Sequence, residues 1–267
     1  MQTMKKHYSI LAVGGTLTAL GLASKDSESV IILERSASIG SEYINAHAPG
    51  KNWDKTKLSH YGLGLKKELI ERNILAEGHA HIPALSPVLL NRIKNEKLNV
   101  LFWTELVEIK QNGNVFEATL FNASGLHKIT VEKIIDTTSE RLSAPGTKTI
   151  NAKSINALLY CGEKCPRPLL KEMKIQRGRF ASEKYLKVPV KIEDNWPAAR
   201  KKLLESWQAR PKEIESWKMA STASAFSYES TKGPFEVAKN WTHLPSSGYT
   251  NPLESLEAGI TFAGETK

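Results

Sequence analysis

The feature that most constrains the fold lies near the start of the chain. An apolar run at 8–13 (YSILAV) ends on Gly14-Gly15, and residues 16–24 are mostly small and apolar. After a polar break at 25–28, a second apolar run at 29–33 (SVIIL) closes on Glu34 and Arg35. The pattern predicts a strand, a glycine turn, a helix, a second strand and an acid. Glycines let the chain turn tightly and bring backbone N–H groups close to a phosphate at a helix start. Glu34 lies 20 residues after Gly14, where a carboxylate can accept hydrogen bonds from a ribose. The turn GGTLTA carries Thr16 and Ala19 where a full GxGxxG has glycine. Ala19 suits a close helix–strand contact, whereas Thr16 places a side chain, with a hydroxyl donor, where backbone approach is needed.

Composition narrows the remaining classes. The chain has 267 residues, 40% hydrophobic and 24% charged, which suits a two-part α/β protein and excludes disorder as the default. The formal charge is +9, favouring an anionic ligand or partner. The basic residues are dispersed, so nucleic acid is not an expected partner. No stretch reaches the roughly 20 apolar residues of a membrane span, and no membrane association is expected. Lys5 and Lys6 before the apolar stretch 8–23 would also suit an export leader. The strand at 29–33 favours the folded reading and a cytoplasmic location. Cys161 and Cys165 lack the spacing of a redox or zinc pair and are expected to be reduced thiols.

Further along, residues 66–72 and 86–97 read as helices, the second with Ser86 as N-cap and Pro87 in the first turn. Strands are expected at 100–109, 115–121, 127–131 and 132–136, separated by turns at Asn112-Gly113-Asn114 and Ser124-Gly125. From 142 to 249 the pattern changes to a strand at 185–192 and helices at 198–207 and 211–217. Trp196, Trp207, Trp217 and Trp241 there read as core or interface. His47, His60, His79, His81 and His243 are candidate bases, with none singled out. His79 and His81 would share a strand face, but no third ligand accompanies them and no metal site is expected. Arg167, Arg177 and Arg179 could clamp a carboxylate or form a positive surface.

Residues 10–40 resemble the opening of FAD-dependent oxidoreductases of the glutathione-reductase-like Rossmann superfamily. IIDTTS at 134–139 is similar to that family's IDATG segment, with Ser139 in place of the glycine, and 260–265 (ITFAGE) to its closing strand. The resemblance implies an α/β fold: a Rossmann-like FAD-binding domain with an inserted β-meander (1–141 and 250–267) and a second, smaller α+β portion (142–249). It places the FAD pyrophosphate on Gly14, Gly15 and Thr16, the ribose on Glu34, and the adenine near Leu106. Arg35, with Ser36 and the turn at 39–41, would close around the adenosine. Thr137 and Thr138 would approach the cofactor, and Gly264 and Glu265 would end a strand at its ribityl or pyrophosphate part. The implied activity is hydride transfer from a small organic substrate to FAD, by this chain or as the FAD-domain subunit of a heteromer. In the family a long helix follows the closing acid, and the sequence stops at Lys267. The helix is therefore expected to be missing, so that either a partner subunit completes the site, FAD binds differently, or binding has been lost. Thr16, Ser139 and that helix motivate the alternative of a non-catalytic scaffold or regulatory subunit with a degenerate FAD-binding fold.

Overall fold

The computed structural model describes residues 6–146, 148–162 and 173–265. In chain order its first elements are β1 (His7–Val13), α1 (Leu17–Ala23), β2 (Val30–Leu33), α2 (His60–Glu71), β3 (Leu75–Ala76) and β4 (His79–Ala80). α3 (Leu85–Asn95), β5 (Asn99–Leu101), β6 (Glu105–Asn112), β7 (Val115–Asn122) and β8 (Gly125–Asp136) follow. The rest comprises β9 (Ile150–Tyr160), β10 (Lys174–Arg177), β11 (Glu183–Val190), α4 (Trp196–Gln208), β12 (Lys218–Thr222) and β13 (Ser227–Ser230). β14 (Phe235–Ala238), β15 (Trp241–His243) and α5 (Pro252–Glu265) end it.

The larger sheet runs β14-β15-β8-β1-β2-β5, parallel except at β14, and β6 and β7 continue antiparallel from the first half of β8. Alternation along β2 decides its two faces. Val30 and Ile32 face a core shared with α1, α3 and α5, whereas Ile31 and Leu33 face Phe116, Leu120 and Val131 of the meander. Burial on both faces explains why β1 and β2 are almost wholly apolar. The smaller sheet is built on β9, flanked by β11, β12 and β13, with α4 against one face. This matches the expected α/β fold with a second β-rich portion. β14 and β15, from within the 142–249 stretch, pair in the larger sheet.

The C-terminal expectation is corrected. Residues 260–263 are not a strand; they belong to α5, a helix of 14 residues. Without that strand, a missing helix after Glu265 loses its reference point, since α5 itself ends there. Asn251 caps it by accepting a hydrogen bond from Glu254 N (2.9 Å), and Pro252 takes the first position. Leu253, Leu256, Ile260 and Ala263 form its buried stripe. It lies against α1 at backbone contact: a Cβ on Gly21 would meet Leu256 O at 2.1 Å, and one on Gly259 would meet Thr18 O at 2.0 Å.

Other elements shift. The strand expected at 100–109 divides into β5 and β6, because the chain turns at Trp103, whose φ is +52°. The helix expected at 211–217 is a 3₁₀ turn at Lys212–Ile214. Cys161 is disulfide-bonded rather than a reduced thiol; spacing rules for redox and zinc pairs do not speak to a simple crosslink. Cys165 and Arg167 lie outside the described residues. Among the described residues no helix is long and apolar enough to cross a membrane.

The α1–α5 crossing predicts the effect of one added methyl group. Gly259→Ala must push two backbones apart and should cost about 1–3 kcal/mol, read from urea unfolding midpoints. Gly264→Ala, with nothing within 4 Å of the new Cβ, should leave the midpoint unchanged or raise it.

Candidate functional site

Ligands of parallel α/β sheets bind beyond the carboxyl ends of the strands. Here β1, β2 and β8 end together beside a cavity of about 520 Å³. Gly14, Thr16, Glu34, Arg35, Leu106 and Thr138 line it, as do Glu42, Ser139 and Glu140, with Phe226 just before β13 and Tyr228 within it. Gly15 and Thr137 stand immediately behind, bonded to Glu34 and to Val13 O respectively. Gly264 and Glu265 are not brought there. They sit at the exposed end of α5, where Glu265 lines a separate depression with Lys55 and Lys57.

The glycine turn is closely packed by its own chain. Gly14 has φ +95°, and a Cβ on it would lie 2.5 Å from Thr138 Cγ2. Gly15 N donates to Glu34 Oε2 at 2.7 Å. Thr16 caps α1 by accepting from Ala19 N (3.1 Å) and gives its hydroxyl proton to Thr137 Oγ1 (2.8 Å). The side chain that departs from the glycine pattern is therefore an N-cap, worth about 1 kcal/mol to the helix. Asp136 is a structural cap: its carboxylate accepts from Thr138 N (2.9 Å) and Ser143 N (2.6 Å).

Glu34 is buried, with Oε2 on Gly15 N and Oε1 on Ser36 N, the latter also at 2.7 Å. Each carboxylate oxygen carries two lone pairs, so one acceptor site per oxygen remains. The segment after β5 supports it. Thr104 N donates to Glu34 O (3.0 Å) and Trp103 N to Ser36 O (3.2 Å), setting Thr104, Glu105 and Leu106 against the cavity.

One lining residue was absent from the sequence-based set. Glu42 Oε1 accepts from Leu17 N at 2.9 Å and from Ser246 Oγ at 2.7 Å. Its Oε2 is buried without a partner. Burial, with a smaller contribution from Glu34, pushes the Glu42 carboxyl up to about 7 despite the two donors. The partners of Glu42 lie 25 and 204 residues away, so no local pattern could have found it.

The cavity is acid-rich although the chain is basic. Glu34, Glu42, Glu105 and Glu140 line it with Arg35 as the one cation among the described lining residues. Arg35 Nε is 3.0 Å from Glu105 Oε1. Burial and the neighbouring Glu140 push the Tyr228 hydroxyl up, so it stays protonated as a donor to Glu140.

None of the candidate histidines lines this cavity. His47 bonds Ser221 Oγ (2.8 Å), His81 bonds Glu183 (2.8 Å) and His243 bonds Thr138 O (2.8 Å); His60 begins α2. Arg177 pairs with Glu77 and Arg179 bonds Asn73. Trp217 is core, and Trp241 donates to Ser143 Oγ.

No family model and no curated protein matches the sequence. Solved structures match the fold. A ternary complex of aklavinone-11 hydroxylase with FAD and aklavinone is similar at TM-score 0.62 and 13% identity, over 98% of this chain and 63% of that one. Glycine oxidase from Geobacillus kaustophilus has TM-score 0.61 and 15% identity, over 98% and 96% of the two chains. A geranylgeranyl bacteriochlorophyll reductase-like protein from Thermoplasma acidophilum has TM-score 0.61 and 10% identity, over 98% and 78%. The fold is that of FAD-dependent oxidoreductases and hydroxylases, and the chain spans less than two thirds of the hydroxylase.

The raised Glu42 carboxyl carries a pH signature. The unfolded chain releases this proton near pH 4.5 and the folded chain near 7. Between those values the folded state binds more protons, so this group makes the fold less stable as pH rises. The loss is at most about 3 kcal/mol. Urea midpoints at pH 5 and pH 8 should converge in Glu42→Gln relative to the parent; an unchanged difference would exclude Glu42 as the source.

Proposed function

We propose that the chain is a nucleoside-binding protein built on the FAD-dependent oxidoreductase fold, acting as a non-catalytic scaffold or regulatory component. Glu34 would receive the ribose diol on its two remaining acceptor sites. Thr104 to Leu106 would flank the base, with Leu33, Leu142 and Phe226 as apolar walls. The observation that carries the reading is the contrast between the two ends of the cleft. Glu34 is held by backbone donors with acceptor capacity to spare. Four donors of the glycine turn and helix start that could receive a diphosphate already have intramolecular acceptors: Gly14 N on Leu33 O, Gly15 N on Glu34, Leu17 N on Glu42 and the Thr16 hydroxyl on Thr137.

FAD fits this cleft in part. Its adenosine would meet Glu34, Arg35 and Leu106, but its diphosphate meets acids and donors already engaged. A redox reading therefore comes second: an oxidoreductase in which bound FAD would accept a hydride from a small organic substrate. A second cavity of about 310 Å³ favours it, lying between the two sheets and sharing Glu42 and Tyr228 with the first cavity.

Gently purified protein, alone and with any co-purifying chain, should show no flavin absorbance and release no FAD by mass spectrometry. Adenosine should bind measurably by calorimetry, and Glu34→Ala should weaken it about tenfold or more, the scale of one charge-assisted hydrogen bond. Stoichiometric FAD would put the oxidoreductase reading first. Unchanged adenosine affinity in Glu34→Ala would remove the ribose role.

A further inference from the structure

The mismatch between this cleft and a diphosphate has a single main source. We infer that Glu42 is the specificity-determining residue of the cleft, selecting an uncharged nucleoside over its phosphorylated forms; this rests on the nucleoside reading of the site.

Three observations converge on Glu42. First, it occupies donors. Leu17 N and Ser246 Oγ both bond its Oε1, joining the start of α1 to the turn that precedes α5. A ligand phosphate would have to displace a carboxylate to reach them. Second, charge reinforces occupancy. Glu34, Glu105 and Glu140 line the same cavity, and Arg35 already has Glu105. No lining cation among the described residues is left to offset a phosphate, and like charges in a partly desolvated cleft repel strongly. Third, above pH 7, where Glu42 is ionised, it retains unmet capacity of the opposite kind. Its Oε2 is buried without a partner, a state that costs free energy until a donor arrives. A neutral ligand with a hydroxyl or amino group supplies that donor; a phosphate supplies further acceptors.

Glu42 cannot readily swing away. Gly40 N donates to Gly15 O at 2.7 Å, so the turn bearing Glu42 is fastened to the glycine turn itself. The next residue, Tyr43, is buried and bonds Ser255 Oγ of α5 at 2.6 Å. Ile44 N closes back on Gly40 O. The carboxylate is thus presented by a segment pinned on both sides.

The test is calorimetric titration, at pH 8.5 where Glu42 is ionised, of adenosine, ADP and FAD into the full chain and into Glu42→Gln and Glu42→Ser. Adenosine should bind the parent at least tenfold more tightly than ADP or FAD. Glu42→Ser releases the Leu17 and Ser246 donors and removes the charge, so ADP should gain tenfold or more and the preference for adenosine should shrink by the same factor. Glu42→Gln keeps an acceptor on both donors but loses the charge, so its ADP gain should be smaller. Circular dichroism and the unfolding midpoint establish that each variant is folded. Adenosine binding without discrimination against ADP, or the same ADP affinity in folded Glu42→Ser, overturns the role of Glu42 and leaves the nucleoside reading standing. Absence of adenosine binding to the parent overturns both.

Discussion

The backbone contact between α1 and α5 is the constraint from which the cleft follows. Glycines at 21 and 259 let the two helices meet main chain to main chain, and Thr18 Oγ1 donates to Ser255 O at 3.0 Å beside them. With α5 fixed there, the preceding turn at Ser246–Gly248 is held over the carboxyl ends of the sheet, where Ser246 N reaches Thr137 O. That position brings the Ser246 hydroxyl to Glu42. The same helix anchors Tyr43 through Ser255. A contact at the back of the sheet thereby decides which groups stand at its front.

The electrostatics of the cleft run against those of the chain. A surplus of nine positive charges suggests an anionic ligand, yet the cavity concentrates carboxylates. Net charge is a property of the whole surface, whereas a buried site answers to the few groups within a Debye length that water does not screen. Glu42, raised towards neutrality by burial, sits beside a Glu34 held by two backbone N–H groups. One carboxylate is set as an acceptor, while the other is left partly unmet.

The opening of the fold was legible because its signals are local. Two apolar runs around a glycine pair, closed by an acid, specify β1, α1, β2 and Glu34 from neighbours alone, and the meander followed from its turn residues. β9 was not read, because Lys153, Ser154 and Asn156 interrupt its apolar pattern. Their polarity is satisfied from afar: Asn156 Nδ2 by Ala46 O, and Lys153 Nζ by Ile192 O and Asp194 O. α5 was misread as a strand although Asn251-Pro252 is a helix-start signal, because ITFAGE alone has no decisive period. Glu42 had no local signal, since its role exists only once three distant segments meet.

β8 belongs to two layers at once. Its Val131 faces Phe116 in antiparallel pairing and Tyr8 in parallel pairing, so a single strand carries the register of both the meander and the parallel sheet. A residue inserted into β8 would turn both sets of side chains over together. The hairpin tips at Gly113 and Gly125 are the opposite case, with open space around their Cα atoms. Length variation, or an inserted reporter peptide, therefore belongs at those tips, where the chain can be extended without disturbing the strand that times the rest.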